Sequence, residues 1–340
     1  MTPKRVLIVG TGSMGQRHLD IARDLLPNTE LAVFSRSGRT ANTSQTLTSK
    51  SEIEEFRPEI SVVANHASQH IEMANFLGNL GSHLLIEKPI SSNTQGIDKL
   101  VKLKTQKNIK ILVGYNLRYL PSFKKMQSLL AEKNIGRVLD VRLDVGQSLE
   151  TWRPGRDYRE TTSARKMDGG GVLRELSHEL NYLLGLFGYP IWAFACLQKV
   201  SELEIDVEDI AHLILGLKEN NGQNFSATVN LDFIRQDRTR ICTVIGVEGT
   251  LEWNLLTGGI LKKTLQTPHQ QILDPDLESM SDTYLAEWKD LLNAIQLDIE
   301  PKNTLSDSIR TLSLILACEK SQEKGSIVRV DSFAGGVLRE

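Results

Sequence analysis

Six residues near the start of the chain, Gly10-Thr11-Gly12-Ser13-Met14-Gly15, carry the glycine spacing with which a loop holds a pyrophosphate. The first glycine of such a turn permits the tight bend, the second lets the backbone approach phosphate oxygens, and the third brings a helix against a strand. The helix then opens at Ser13 and Met14 with free N–H groups and a positive dipole. A glycine turn without a nucleotide is the plain alternative. About twenty residues on, where an acidic residue normally takes a ribose diol, the chain reads Phe34-Ser35-Arg36-Ser37. A hydroxyl and a guanidinium suit a 2′-phosphate, which favours NADP(H) with NAD(H) still possible; Arg39 follows close behind. Otherwise Arg36 is an ordinary surface arginine. Asn65, His66 and His70 follow the third apolar run and could contact ribose, or serve only as loop and cap residues.

A second concentration of chemistry begins at Gly169-Gly170-Gly171, which leads a helical pattern. Glu175, His178 and Tyr182 fall at i, i+3 and i+7, opposite Val172, Leu176, Leu180, Leu183, Leu184 and Phe187. A carboxylate and an imidazole on one stripe can move a proton together, and imidazole titrates near neutrality. The same stripe is otherwise just a wet helix face. Upstream, Trp152-Arg153-Pro154-Gly155-Arg156-Asp157-Tyr158-Arg159 gathers three arginines and two rings. Guanidinium forks grip carboxylate or phosphate and flat rings pack on a pyranose, so the loop suits an anionic or nucleotide-linked sugar. A salt-bridged subunit contact is the alternative.

These residues need elements to hold them. Runs 5–10, 30–35, 60–66, 83–87 and 110–116 are short, β-rich and apolar on both faces, and helical patterns 13–26, 67–79 and 92–107 separate them. That alternation predicts a doubly wound parallel sheet of Rossmann type in an α/β chain. Segment 36–52 is polar and reads as a connection beside the sheet. After Pro121 the rhythm changes to a helix (122–132), a long strand (137–147), a polar loop (148–168) and the glycine-led helix (169–187). Runs 191–199, 209–217, 224–234, 239–247 and 249–255 then follow through short turns. This predicts a C-terminal α+β domain with a large, mainly antiparallel open sheet covered on one face by helices, two of them at 282–297 and 305–320. The expected domains are 1–120, dinucleotide-binding, and 121–340, substrate-binding and oligomerising.

Taken in order, the glycine turn followed by Arg17-His18, then Glu87-Lys88-Pro89, then Gly114-Tyr115-Asn116-Leu117-Arg118-Tyr119, then Gly169-Gly170-Gly171 leading to His178, resemble the Gfo/Idh/MocA family of oxidoreductases over nearly the whole chain. The resemblance implies that Lys88 lies beside the nicotinamide and the substrate carbinol. It also implies that His178 is the general base, that Glu87 and Asn116 belong to the cofactor site, and that Arg118 belongs to the substrate site. His18 reads as packing beside the cofactor. Many members carry an aspartate four before the histidine and another three after it; here Arg174 and Asn181 hold those places and Glu175 lies three before. Glu175 is therefore the acidic candidate, and Asn181 a hydrogen-bonding group for substrate. The loop at Trp152 resembles that of the subgroup linked to surface-polysaccharide and unusual-sugar biosynthesis. The implied activity is hydride transfer between a nicotinamide and a carbinol or keto carbon of a sugar or nucleotide-linked sugar. A cofactor-binding regulator or sensor is one alternative, against which the retained Lys88 and His178 speak. An oxidoreductase for a dihydrodiol, an imine or a bile pigment is another, against which the arginine-rich loop speaks.

Bulk composition is that of an ordinary globular protein: 40% apolar and 24% charged residues, with 40 basic against 42 acidic. Charge implies no nucleic-acid or membrane partner. The start MTPKR runs directly into Val6-Leu7-Ile8-Val9 with no leader pattern, so a cytoplasmic location is expected. Cys196, Cys242 and Cys318 are far apart and form no Cys/His cluster, which predicts neither a disulfide framework nor a metal site. A large sheet with one open face suggests a homodimer or homotetramer.

Overall fold

The computed structural model describes residues 3–38, 45–218, 222–274 and 280–330. Arg39, drawn into the cofactor reading, lies outside the described residues. By compactness the described residues form two units, the first running to Asn116 and including Ser281–Ile309, the second comprising Leu117–Met280 and residues 310–330.

In the first unit the buried apolar runs become strands because each is covered on both faces. These are β1 (Arg5–Val9), β2 (Glu30–Phe34), β3 (Gln45–Leu47), β4 (Ile60–Val63), β5 (His83–Ile86) and β6 (Ile111–Val113), all parallel, in the order β3-β2-β1-β4-β5-β6. Helices α1 (Ser13–Leu25), α2 (Lys50–Phe56), α3 (His70–Asn79) and α4 (Ile97–Gln106) separate them. The order reverses between β1 and β4, so the crevice for a ligand lies at the carboxyl ends of those two strands. Segment 36–52 corrects the expectation of a mere connection: Gln45–Leu47 adds to the sheet edge beside β2. An edge strand needs little apolar surface, and Leu47 alone of the three is buried.

The second unit holds α5 (Pro121–Ala131), β7 (Val138–Gly146), α6 (Leu149–Trp152), α7 (Val172–Glu175), α8 (Ser177–Phe187), β8 (Trp192–Gln198), β9 (Ile210–Lys218), β10 (Asn224–Asp232), β11 (Thr239–Gly246), β12 (Thr250–Asn254), β13 (Ile260–Lys263) and β14 (Gln270–Leu273). Two late helices, α9 (Met280–Leu297) and α10 (Leu305–Lys324), precede the short β15 (Val328–Arg329). Nine strands form one sheet in the order β14-β13-β12-β11-β7-β10-β9-β8-β15, antiparallel except for β7 with β10. Burial alternates along β7 and β9, so one face is covered. Phe123 and Met126 of α5, Leu180 and Leu183 of α8, and Leu314 and Ile315 of α10 share a buried cluster with Leu143, Leu213 and Val229 of the sheet.

By compactness nearly all of helix α9 groups with the first unit. Apolar spacing says that a helix buries a stripe, not which neighbour covers it. Asn116 Nδ2 donates to Thr283 Oγ1 (2.7 Å) and Asn303 Nδ2 to the Tyr115 carbonyl (2.8 Å), tying this late segment to the end of β6. Among the described residues no helix is long and apolar enough to cross a membrane.

Candidate active site

The glycine turn leaves β1 as the sequence requires. Gly10 has φ +105°, and a Cβ at Gly15 would lie 2.1 Å from the Gly10 carbonyl oxygen, so neither position accepts a side chain. At Gly12 the space that a Cβ would fill is open. Gly12 is the N-cap of α1, no side chain caps it, and the first turn contains no acidic residue. An open glycine cradle under an uncapped helix N-terminus fits a pyrophosphate. At the end of β2, Ser35 is buried with its Oγ 3.2 Å from Ser37 Oγ, while Arg36 is exposed. Arg36 Nη2 donates to Gln69 Oε1 (3.2 Å), which also accepts from Asn65 Nδ2 (3.3 Å). Gln69 thus gathers two of the proposed cofactor residues; no motif marked it. His66, next to Asn65, is exposed.

β5 delivers Glu87-Lys88-Pro89 at the same carboxyl edge, two strands from the glycine turn. Lys88 is half-buried, and the Lys88–Pro89 peptide is cis. Glu87 corrects an expectation: its carboxylate faces the interior, with Oε1 2.8 Å from His18 Nε2 and Oε2 accepting from the Lys88 N–H (3.1 Å). His18, completely buried, is more than packing, because its Nδ1 accepts from Trp288 Nε1–H of α9 (3.1 Å). Indole can only donate, so the imidazole carries its proton on Nε2 and donates it to Glu87. Burial by itself would raise the Glu87 pKa; the His18 hydrogen bond and the Lys88 charge and N–H outweigh it and hold the group below the usual carboxylate range. Glu287, beside Trp288, is the opposite case. It is fully buried, neither oxygen has a hydrogen-bond partner among the described residues, and burial with the charges of Glu87 and Asp290 pushes its pKa well up.

Two expected cofactor ligands are turned inward. His70 is 1% exposed, with Nδ1 2.9 Å from the Pro89 carbonyl oxygen and Nε2 2.9 Å from that of Asn65, which leaves no ring nitrogen for a ribose hydroxyl. Asn116 is 3% exposed and its amide N–H is given to Thr283.

In the second unit the glycine run is a packing device. A Cβ at Gly170 would lie 2.3 Å from the Thr162 carbonyl oxygen, and one at Gly171 (φ +106°) 2.4 Å from a Glu208 carboxylate oxygen. Glu208 also accepts the Leu173 N–H (3.1 Å). The expected single helix is two, broken at Leu176 (φ −91°, ψ 28°), so Glu175 ends α7 and His178 lies in the first turn of α8. Both are half-buried. Tyr182 does not share a wet stripe with them: it is fully buried, its ring 5.4 Å from that of Trp253. Asn181, expected beside substrate, is 1% exposed and donates to Thr311 Oγ1 (3.0 Å). The neighbours of His178 are anchored, Arg174 to Glu319 (2.7 and 2.9 Å) and Glu179 to Arg240 (2.6 Å).

Trp152, Arg153, Arg156 and Tyr158 line one narrow cleft with a cavity volume of about 10 Å³. Trp152 packs edge-on against Phe233 (5.1 Å), and neither Arg153 nor Arg156 has a carboxylate partner among the described residues. The third arginine of the loop differs: Arg159 pairs with Asp157 (2.6 Å) and Glu204 (3.1 Å). Arg118 lies against the backbone at Gly185, where a Cβ would be 3.0 Å from its Nε.

The pattern of fold and residues agrees with comparison to known proteins. Residues 4–115 match the NAD-binding Rossmann fold of the oxidoreductase family and residues 127–330 its C-terminal alpha/beta domain, so the chain belongs to the Gfo/Idh/MocA oxidoreductase family. Among curated relatives, Oxidoreductase P35 of Formosa agariphila is 25% identical over 201 residues, covering 58% of this chain and 60% of that protein. The D-xylose dehydrogenase of Paenarthrobacter nicotinovorans is 24% identical over 202 residues, 52% of each. The chain spans about half the length of the curated relatives it matches. The solved structure of levoglucosan dehydrogenase in complex with NADH superposes with a TM-score of 0.82 at 18% identity, over 96% of this chain and 98% of that one, which is a likeness of fold.

Proposed function

We propose that the chain is an NAD(P)-dependent oxidoreductase acting on CH–OH groups, moving a hydride between a nicotinamide and a carbinol or keto carbon of a sugar or nucleotide-linked sugar. The observation that carries this reading is a placement within the first unit. An open phosphate-binding glycine turn and Glu87-Lys88-Pro89 leave the same carboxyl edge, with only β4 between their strands, where the strand order reverses. The glycine loop, Ser13, Met14, Ser35, Arg36, Asn65 and His66 hold the cofactor, which supplies a hydride donor or acceptor at nicotinamide C4 when bound. Two side chains are candidates for the carbinol proton, Lys88 of the first unit and His178 of the second, with Glu175 orienting the imidazole or the substrate. Arg118 and the cleft formed by Trp152, Arg153, Arg156 and Tyr158 recognise the substrate. Arg153 and Arg156, which have no carboxylate partner among the described residues, favour an anionic sugar of the kind used to build surface polysaccharides. The sugar dehydrogenases among the relatives support that class. Self-association through the open sheet face, which carries the exposed Ile214, belongs to the same proposal.

Arg36, with no acidic residue closing β2, favours NADP(H). Calorimetric titration of NADP⁺ and NAD⁺ into wild type and Arg36→Ala tests the cofactor assignment. NADP⁺ is expected to bind more tightly, and Arg36→Ala to cost about 1–3 kcal/mol for NADP⁺ while leaving NAD⁺ nearly unchanged. Equal wild-type affinities would overturn the NADP preference, and binding of neither would overturn the oxidoreductase reading. A thermal-shift panel of sugars and nucleotide sugars on the cofactor complex then identifies the substrate.

A further inference from the structure

Lys88 is flanked by two peptide groups whose positions depend on buried imidazoles. On its N-terminal side, His18 donates from Nε2 to Glu87 Oε1 while the other oxygen of that carboxylate accepts the Lys88 N–H. Trp288 selects the required tautomer by donating to His18 Nδ1. The carboxylate has room because position 114 is glycine; a Cβ there would lie 3.3 Å from Glu87 Oε2. On the C-terminal side, His70 stands between the Pro89 and Asn65 carbonyls, 2.9 Å from each. A neutral ring serves one of them at a time and a second proton lets it serve both; burial holds the His70 pKa below its ordinary value despite the two carbonyls and Glu87. His18 and His70 are 0% and 1% exposed, so neither ring can touch a ligand.

We propose that His18 and His70 are positioning residues for Lys88, clamping the main chain before and after it so that its ammonium group leaves the carboxyl edge in one direction. The functional meaning of the clamp rests on the reading of Lys88 as a catalytic residue. A rigid five-membered ring suits the task because it presents polar atoms on two edges: neutral, it joins a buried donor to a buried acceptor, as His18 does, or holds one buried carbonyl at a time, as His70 does, where water does not reach. Trp288 belongs to the same device, although it is remote in sequence from Lys88.

The test follows the Lys88 amine directly and needs no substrate. The full chain is trace-labelled with limiting acetic anhydride, and acetylation of Lys88 is compared by peptide mass spectrometry with that of Lys110. Lys110 is a lysine of the same unit held in an ion pair with Asp298 (2.7 Å) and serves as the internal gauge of general loosening. In His18→Ala and His70→Ala, Lys88 labelling should rise about threefold or more, because an unclamped main chain lets the amine sample more reagent-accessible positions. Lys110 labelling and the NADP⁺ dissociation constant should stay within about twofold. His18→Gln, whose amide can donate where Nε2 does, should restore Lys88 labelling to near the wild-type rate. Trp288→Phe, which keeps a ring but removes the N–H, should raise it, and it decides the matter if the alanine variants do not fold. Unchanged Lys88 labelling, or a rise shared equally by Lys110, would overturn the proposal. Wild-type turnover by Lys88→Ala would instead remove the catalytic reading and leave the labelling result standing, so the two failures are distinguishable.

Discussion

Each acid–base candidate has a buried glutamate as its chain neighbour, and the two glutamates are held in different ways. Glu87, just before Lys88, is bonded by the His18 imidazole and by a backbone N–H. Glu179, just after His178, is 0% exposed at its side chain and accepts from the Arg240 guanidinium, itself 13% exposed. Neutral donors stabilise a carboxylate without cancelling its charge, whereas a guanidinium cancels it. Glu87 is therefore held by hydrogen bonds with Lys88 itself as a nearby counter-charge, whereas Glu179 is closed in a direct ion pair with Arg240. The contrast teaches that burial alone does not set the electrostatics of a site; the partner does.

The largest effects should come from the candidates themselves. Lys88→Ala and His178→Ala should each lower kcat by roughly 10²–10⁴-fold with the substrate found in the panel, while cofactor affinity stays within a few-fold. Steady-state kinetics beside cofactor titration checks this, and wild-type turnover in both variants would return the chain to the class of cofactor-binding regulators. Next in size is the stability contrast between the two glutamates. Glu179→Gln keeps an acceptor for Arg240 but removes the carboxylate charge opposite it and should cost about 3–5 kcal/mol in urea unfolding, against about 1–3 kcal/mol for Glu87→Gln, which loses only charge-assisted hydrogen bonds. Equal losses would erase the distinction drawn between the two neighbourhoods.

The smallest effect is one of pH. The folded-state pKa of Glu287 lies above its unfolded value because of burial first and then the charges of Glu87 and Asp290. The native chain therefore keeps a proton that the unfolded chain releases, so this group's stabilising contribution is complete below the unfolded pKa and is lost as pH rises toward the folded one. Glu287→Gln should leave Tm near pH 4 almost unchanged and raise it progressively from pH 5 to pH 8. A pH-independent difference between variant and wild type would mean that Glu287 is charged in the native state.

Legibility followed the range of the physical constraint. The glycine turn could be read because its requirements are local to the backbone: a positive φ at Gly10 and no room for a side chain at Gly15. The parallel sheet could be read because strands covered on both faces must be apolar throughout. By contrast Asn116 and Asn181 looked like ligands and proved to be interior groups, since their partners Thr283 and Thr311 lie 167 and 130 residues away. Tyr182 was placed on a wet stripe by assuming one continuous helix, and the break at Leu176 removed that assumption. Arg159 could not be told from Arg153 and Arg156 until Glu204 was seen beside it.

Sequence by itself determined the fold class, a parallel sheet followed by a mostly antiparallel one, and the glycine turn after β1, because periodicity and glycine placement act over a few residues. Only the tertiary structure decided that His18, His70 and Trp288 surround the lysine strand, that α9 joins the first unit, and which polar side chains remain open to a ligand. A buried polar group must find its partner wherever the fold brings one, and that partner's identity is not encoded in the residues next to it.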